Sequence, residues 1–202
     1  MPLIKLNNRS IKDVTSLPFG VGNLIHIQSQ TASNSASISF TTGINSTYKE
    51  YQFYFINVRP ATDGVLFQFN LSTDSGSNYN VTKTTTAFLA EVSQSGTFSG
   101  LSYQTSSDLA QSTADQRIAT NTGNGSSECA VGYMSLFNPA STTYVKHFIS
   151  TSQFYYPDPS VDFTTNMFVA GYGNTTSAIN AVRFQMSSGN IADGTIALFG
   201  VV

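Results

Sequence analysis

The sequence is poor in charged residues, has one cysteine and has no tryptophan. The first two shortages each exclude a class of function or a kind of site. Asp, Glu, Lys and Arg make up 10% of the 202 residues, against roughly 25% in an ordinary soluble domain. The nine basic residues stand singly. Since no Lys/Arg stripe exists to neutralise phosphates, we expect no nucleic-acid binding. Cys129 is alone, which excludes an internal disulfide and multi-cysteine zinc patterns, and we interpret it as a small buried apolar residue.

Long apolar runs are also missing. No segment approaches the roughly 18 apolar residues of a membrane helix, and residues 1–9 lack the apolar core of a signal peptide. We therefore expect neither a membrane span nor a secretory leader.

A recognisable catalytic set is absent as well. His26 and His147 stand in strand-like stretches without Cys, Asp or Glu at ligand spacing, and there is no Gly-x-Ser-x-Gly elbow. Most acids stand at turns, where capping explains them. A calcium site at Asp158 and Asp162 with loop carbonyls is the weaker alternative to capping. We expect no enzyme, no catalytic or metal-binding residue and no cofactor.

What the chain does have is aromatic and polar residues in alternation. It contains 15 Phe and 10 Tyr, and residues 182–186 place Val, Phe and Met on one face and Arg and Gln on the other, the period of a strand. About ten such segments, separated by Gly/Ser/Asn/Asp turns, predict an all-β, jelly-roll-like β-sandwich. The only helical candidate is residues 107–116. We predict that the core includes Phe53, Phe55, Phe67, Phe69, Phe184 and Leu198.

Three local features refine this picture. Residues 182–186 and 195–201 should pair as a hairpin through the turn at 188–194. Residues 72–79 fit the Asp-box pattern Ser-x-Asp-x-Gly plus an aromatic residue, which predicts a capped tight turn between neighbouring strands. Residues 93–125, rich in Gly, Ser, Thr and Asn, predict long loops.

The chain divides into residues 1–22 and a sandwich domain at 23–202. The first segment holds three of the nine basic residues and ends near the break Pro18-Phe19-Gly20. It is either an edge strand of the sandwich or an arm that attaches the domain to a larger particle. As an arm, it would make contact through Leu3, Ile4, Leu6 and Arg9.

One aromatic run is a candidate contact site. Phe154, Tyr155 and Tyr156 precede Pro157, and exposed tyrosine beside proline suits contact with a sugar face or a protein partner. Core packing and a rigid strand exit are the alternative interpretation.

Three patches of sequence resemble small surface proteins on the virions of marine tailed bacteriophages. They are residues 3–15 (LIKLNNRSIKDVT), residues 37–63 (SISFTTGI, YKEY and NVRPATD) and residues 183–195 (RFQMSSGNIADGT). The resemblance implies a non-enzymatic structural protein displayed on the virion as head decoration, head fibre or tail fibre. Its partners would be other virion proteins and two further copies of itself in a homotrimer, and a host-surface glycan would be the ligand of an outward loop. The alternative is a carbohydrate-binding module for host-receptor recognition, which usually offers the Trp platforms that this chain lacks.

Overall fold

The computed structural model describes residues 24–202, which form strands and turns without a helix. The predicted arm contacts Leu3, Ile4, Leu6 and Arg9 lie outside the described residues. The twelve strands are β1 (Leu24–Thr31), β2 (Ile38–Phe40), β3 (Glu50–Pro60), β4 (Val65–Ser72), β5 (Lys83–Ser93), β6 (Ser99–Tyr103), β7 (Gln116–Thr122), β8 (Ala130–Phe137), β9 (Lys146–Tyr156), β10 (Phe163–Gly173), β11 (Ala181–Met186) and β12 (Ile191–Val201). Over this described range, no helix long and apolar enough to cross a membrane is present.

The strands form two antiparallel sheets. The larger has the order β1-β12-β3-β8-β9-β10-β5-β6, and the smaller has the order β2-β11-β4-β7. The sheets pack face to face: Phe53 of the larger lies 5.3 Å from Phe184 of the smaller, measured between ring centroids, and Phe148 lies 5.0 Å from Phe69. The all-β sandwich is confirmed, with twelve strands rather than about ten. A jelly-roll topology stays a prediction.

The core is built around one phenylalanine. Phe184 of β11 is fully buried, and its ring centroid lies 5.3–6.2 Å from those of Phe40, Phe53, Phe55, Phe67 and Phe69. Because inward side chains recur every second residue along a strand, each flanking strand supplies rings to the same layer. All six residues predicted for the core are 2% exposed or less, so that prediction is confirmed.

The predicted C-terminal hairpin is wrong. β11 pairs with β2 and β4 in the smaller sheet, whereas β12 pairs with β1 and β3 in the larger one. The turn between them, with Gly189 at a φ of 69°, carries the chain across the sandwich. A period of two indicates which side of a strand is buried, but it does not indicate which strand lies beside it.

The Asp-box turn forms, but it also crosses between sheets. The Asp74 carboxylate accepts hydrogen bonds from the backbone N–H (2.8 Å) and the side-chain amide (2.7 Å) of Asn78, while Ser72 Oγ accepts one from Gly76 N–H (3.0 Å). Gly76 has the expected positive φ of 89°. The bonds from Asn78, together with one from the Ser72 hydroxyl (2.7 Å), lower the pKa of Asp74 to about 2. The turn leads from β4 of the smaller sheet towards β5 of the larger, so it does not join neighbouring strands.

The region at 93–125 is more ordered than a set of long loops. It contains β6 and β7, and residues 107–116 form no helix. Instead Ser112 exchanges two backbone hydrogen bonds with Lys83, of 2.7 and 3.0 Å. This contact anchors the connection between β6 and β7 against the start of β5.

Candidate functional site

The side of the larger sheet that faces away from the core is open to solvent over the described residues. Along β3, Tyr51, Phe53 and Phe55 point inward and are buried, while Ile56 on the other side is 48% exposed. The smaller sheet packs on the inner side of this strand only.

One side chain from each of the eight strands lies in a line across this outer side, aligned by strand register except between β12 and β3, where Phe199 pairs with Gln52 and contacts Tyr54 diagonally. The line, which we call the aromatic row, consists of His26, Phe199, Tyr54, Tyr133, Thr151, Phe168, Phe88 and Tyr103. Centroid distances are 5.3 Å for His26–Phe199, 5.4 Å for Phe199–Tyr54, 6.0 Å for Tyr54–Tyr133 and 4.9 Å for Phe168–Phe88. These are normal separations for interacting aromatic pairs. With strands about 4.8 Å apart, the row is about 34 Å long.

The strand residues that flank the aromatic row are uncharged, and a carboxylate contacts the row at its β6 end, where Tyr103 donates a 2.7 Å hydrogen bond to Asp108. Cross-strand neighbours on either side of it are aliphatic, hydroxyl or amide residues, among them Ile149, Ala170, Thr86, Gln153, Asn166, Ala90 and Leu101. The charged groups on the strands of this side stand towards its ends and are engaged locally. Glu50 accepts hydrogen bonds from Gln52 (2.7 Å) and Ser135 (2.8 Å), and Arg59 forms an ion pair with Asp193. We call the row and its uncharged neighbours the aromatic face.

A shallow depression of about 520 Å³ lies on the same side of the sheet. Its lining includes Thr84, Thr86, Phe137, His147, Ile149 and Tyr172, and the rings of His147 and Tyr172 are 6.0 Å apart. Aromatic faces with nearby hydroxyl and imidazole groups can stack on and hydrogen-bond to a neutral polar ring such as a sugar. None of the residues lining the depression is Asp, Glu, Lys or Arg.

The structure separates the three aromatic residues predicted as a contact site. They end β9 rather than forming a loop, so their side chains alternate between the two sides of the sheet. Phe154 is completely buried, so its assignment as a contact residue is wrong. Tyr155 points outward, where a hydrogen bond with Asp162 raises the pKa of its phenol. Tyr156 is half-buried and stacks on Phe163 at 5.7 Å.

The remaining candidate residues are placed much as the sequence indicates. His26 and His147 are exposed on the outer side of the larger sheet. Asp158 accepts hydrogen bonds from the backbone and side chain of Ser160, which lower the pKa of its carboxyl. Within residues 24–202, no cluster of three or more His, Cys, Asp or Glu side chains is placed to hold a metal ion. Cys129 is half-buried rather than fully buried, and burial raises the pKa of its thiol.

The structure contains two buried lysines whose burial the sequence did not predict. Lys83 and Lys146 are fully buried and pair in register with the same residue, Gly173 of β10. Lys83 Nζ donates to Asn70 Oδ1 (2.6 Å) and the Val81 carbonyl (2.8 Å), and burial lowers the pKa of this lysine to about 8.

Lys146 Nζ donates to the carbonyls of Tyr144 (2.5 Å), Thr175 (3.3 Å) and Thr176 (3.3 Å). Both ammonium groups therefore tie irregular chain crossings to the sandwich. The sequence offers one indication that Lys83 is buried. Lys83 is separated from Ala87 and Leu89 by even numbers of residues, so it lies on the same, inward side of β5 as they do.

Comparisons of the chain with protein-family models, curated proteins and solved structures found no significant match.

Proposed function

We propose that this chain is a non-enzymatic structural protein displayed on the surface of a tailed-bacteriophage particle, as head decoration, head fibre or tail fibre. The aromatic face is the observation that carries the structural role. Protein interfaces are depleted of charge at their centre and enriched in aromatic side chains, and this sheet presents that composition outward. In this role the protein binds other virion proteins and associates with copies of itself, and we expect a homotrimer.

The phage assignment is supported by the two resembling patches within residues 24–202, at 37–63 and 183–195, which contact each other. In the patch at 37–44, Ser39 and Phe40 pair with Arg183 and Val182 of β11. In the patch at 57–63, Ala61 N–H donates a 2.9 Å hydrogen bond to the carbonyl of Asn190. Stretches far apart in sequence thus build one corner of the sandwich, as expected if they belong to a single shared structural unit.

A carbohydrate-binding role in host-receptor recognition is the second candidate. The depression beside His147 and Tyr172 favours it, because its lining combines aromatic rings with threonine hydroxyls. Binding of neutral glycans in an array should then be lost in a Tyr172→Ala variant. It should persist in Tyr144→Ala, which removes a tyrosine outside that lining.

The test of the structural role uses intact particles of the phage that encodes the chain. Purified virions should contain the protein in many copies by quantitative mass spectrometry, and antibodies against residues 24–202 should label unbroken particles. A protein known to lie inside the head serves as the control for particle integrity. Absence of the chain from the particles, or labelling only after they are disrupted, would contradict the proposal.

A further inference from the structure

We infer that the aromatic face is a self-association surface, covered in the working protein by further copies of this chain. The inference rests on the proposed function in one respect: it names the surface through which that assembly forms. The physical argument for it comes from exposure, charge and area.

Exposed apolar residues are concentrated on one half of the face. Leu101 is 72% exposed and Tyr103 54% exposed, on the edge strand β6, and Phe88, Val92 and Ile149 are also exposed. Single exposed apolar side chains are ordinary, whereas a contiguous patch marks an interaction site. Contiguity holds here because Phe88 pairs with Tyr103, and Ala90, two residues along the same strand, pairs with Leu101.

Charge favours a second copy as the occupant. The aromatic row and its cross-strand neighbours contain no Lys, Arg, Asp or Glu, and the carboxylate of Asp108 contacts the row only at Tyr103, at its β6 end, so most of the face on two molecules can meet without like-charge repulsion. The formal net charge of the chain is only −2, which adds little repulsion at longer range. A strongly acidic or basic partner would find no complementary charge on this face. A second copy of the same face, equally poor in charge, therefore suits it better than a charged partner.

The available area is sufficient for stable association. A patch about 34 Å across the strands and eight residues along them covers on the order of 900 Å². A standard interface buries about 800 Å² on each partner. Covering most of the face therefore satisfies the area that a stable complex needs.

The experiment measures the mass of the full-length chain by light scattering across micromolar concentrations. The wild type should show a multiple of the 21.7 kDa chain mass. Phe88→Lys and Leu101→Lys each place an unpaired charge in the interface, so each should weaken association at least about tenfold. The control is Tyr144→Lys, which alters a side chain that is 64% exposed but lies in the turn before β9, and it should associate like the wild type. Far-UV circular dichroism confirms that each variant is folded.

Hydrogen exchange on the unmodified chain gives a second measurement that does not depend on variants. Amides of β5 and β6 should become more protected as concentration rises. A monomer at every concentration, or equal association in the face variants and the control, would overturn the inference. A monomer whose aromatic face is protected from exchange at every concentration would also overturn the inference. In that case residues 1–23 or another part of the same chain would cover the face.

Failure of this inference is distinguishable from failure of the proposed function. A chain that labels intact virions but stays monomeric overturns only the self-association surface. A chain that associates through the aromatic face but is absent from virions overturns only the phage assignment.

Discussion

Replacing Phe184 with alanine removes the ring at the centre of the core. Phenylalanine-to-alanine substitutions in cores cost about 3–5 kcal/mol, and the cost is highest where the surroundings cannot collapse into the cavity. Phe184 is fully buried and is surrounded by five phenylalanine rings on strands of both sheets. Because those strands are fixed by their own ladders, we expect the upper end of the range, about 5 kcal/mol.

The assay is urea unfolding of Phe184→Ala beside the wild type, with Phe98→Ala as the matched control. Phe98 is half-exposed and makes one edge contact with Phe163 at 5.9 Å, so its loss should cost no more than about 1.5 kcal/mol. A loss under about 2 kcal/mol for Phe184→Ala would refute the central position of this ring. Equal losses in the two variants would refute it as well.

Two further predictions concern ionisable side chains. The unfolded state binds more protons than the folded state between the lowered pKa of Lys83, about 8, and the normal lysine value. The wild-type free energy of unfolding should therefore rise by about 1 kcal/mol from pH 7 to pH 9. Lys83→Met should lack this part of the rise, and identical pH profiles for variant and wild type would show that the ammonium is not desolvated. The sign is the same for Asp74, because its folded pKa is also lowered, to about 2, so its stabilising contribution is present above pH 4 and lost as the pH falls towards 2. In urea unfolding at pH 7 and pH 2.5, Asp74→Ala should be less stable than the wild type at the higher pH and should approach it at the lower.

Local alternation predicted which side chains are buried, because the side-chain period of a strand does not depend on its partners. Phe67 and Phe69 could be assigned to the core on this basis alone. Alternation gives the wrong side of the sheet for residues that follow a bulge in the strand. Asn57, at a φ of 51°, accompanies a bulge in β3, and Val58 beyond it turns inward although Ile56 points outward. Asn57 is a weak sequence signal of this change, because asparagine adopts positive φ more readily than most residues, but asparagine is too frequent in this chain for the position to be picked out.

The sequence could not predict which strands pair or in what register, because both depend on contacts between segments that are far apart in the chain. Assigning β11 and β12 to different sheets depends on the packing of the whole sandwich. The aromatic row needs the register of eight strands at once, and Phe88 or Tyr133 taken singly resembles any half-exposed strand residue. Phe154 was misplaced because the nearby Pro157 suggested a loop, whereas β9 continues to Tyr156.

The most direct test of the account is a cryo-electron microscopy reconstruction of intact particles of the phage that encodes this chain. The account predicts a repeated two-sheet sandwich on the outer surface, with copies touching through the side of the eight-stranded sheet that carries Phe88 and Leu101. Particles without such a density would contradict it, and so would copies whose aromatic faces are open to solvent.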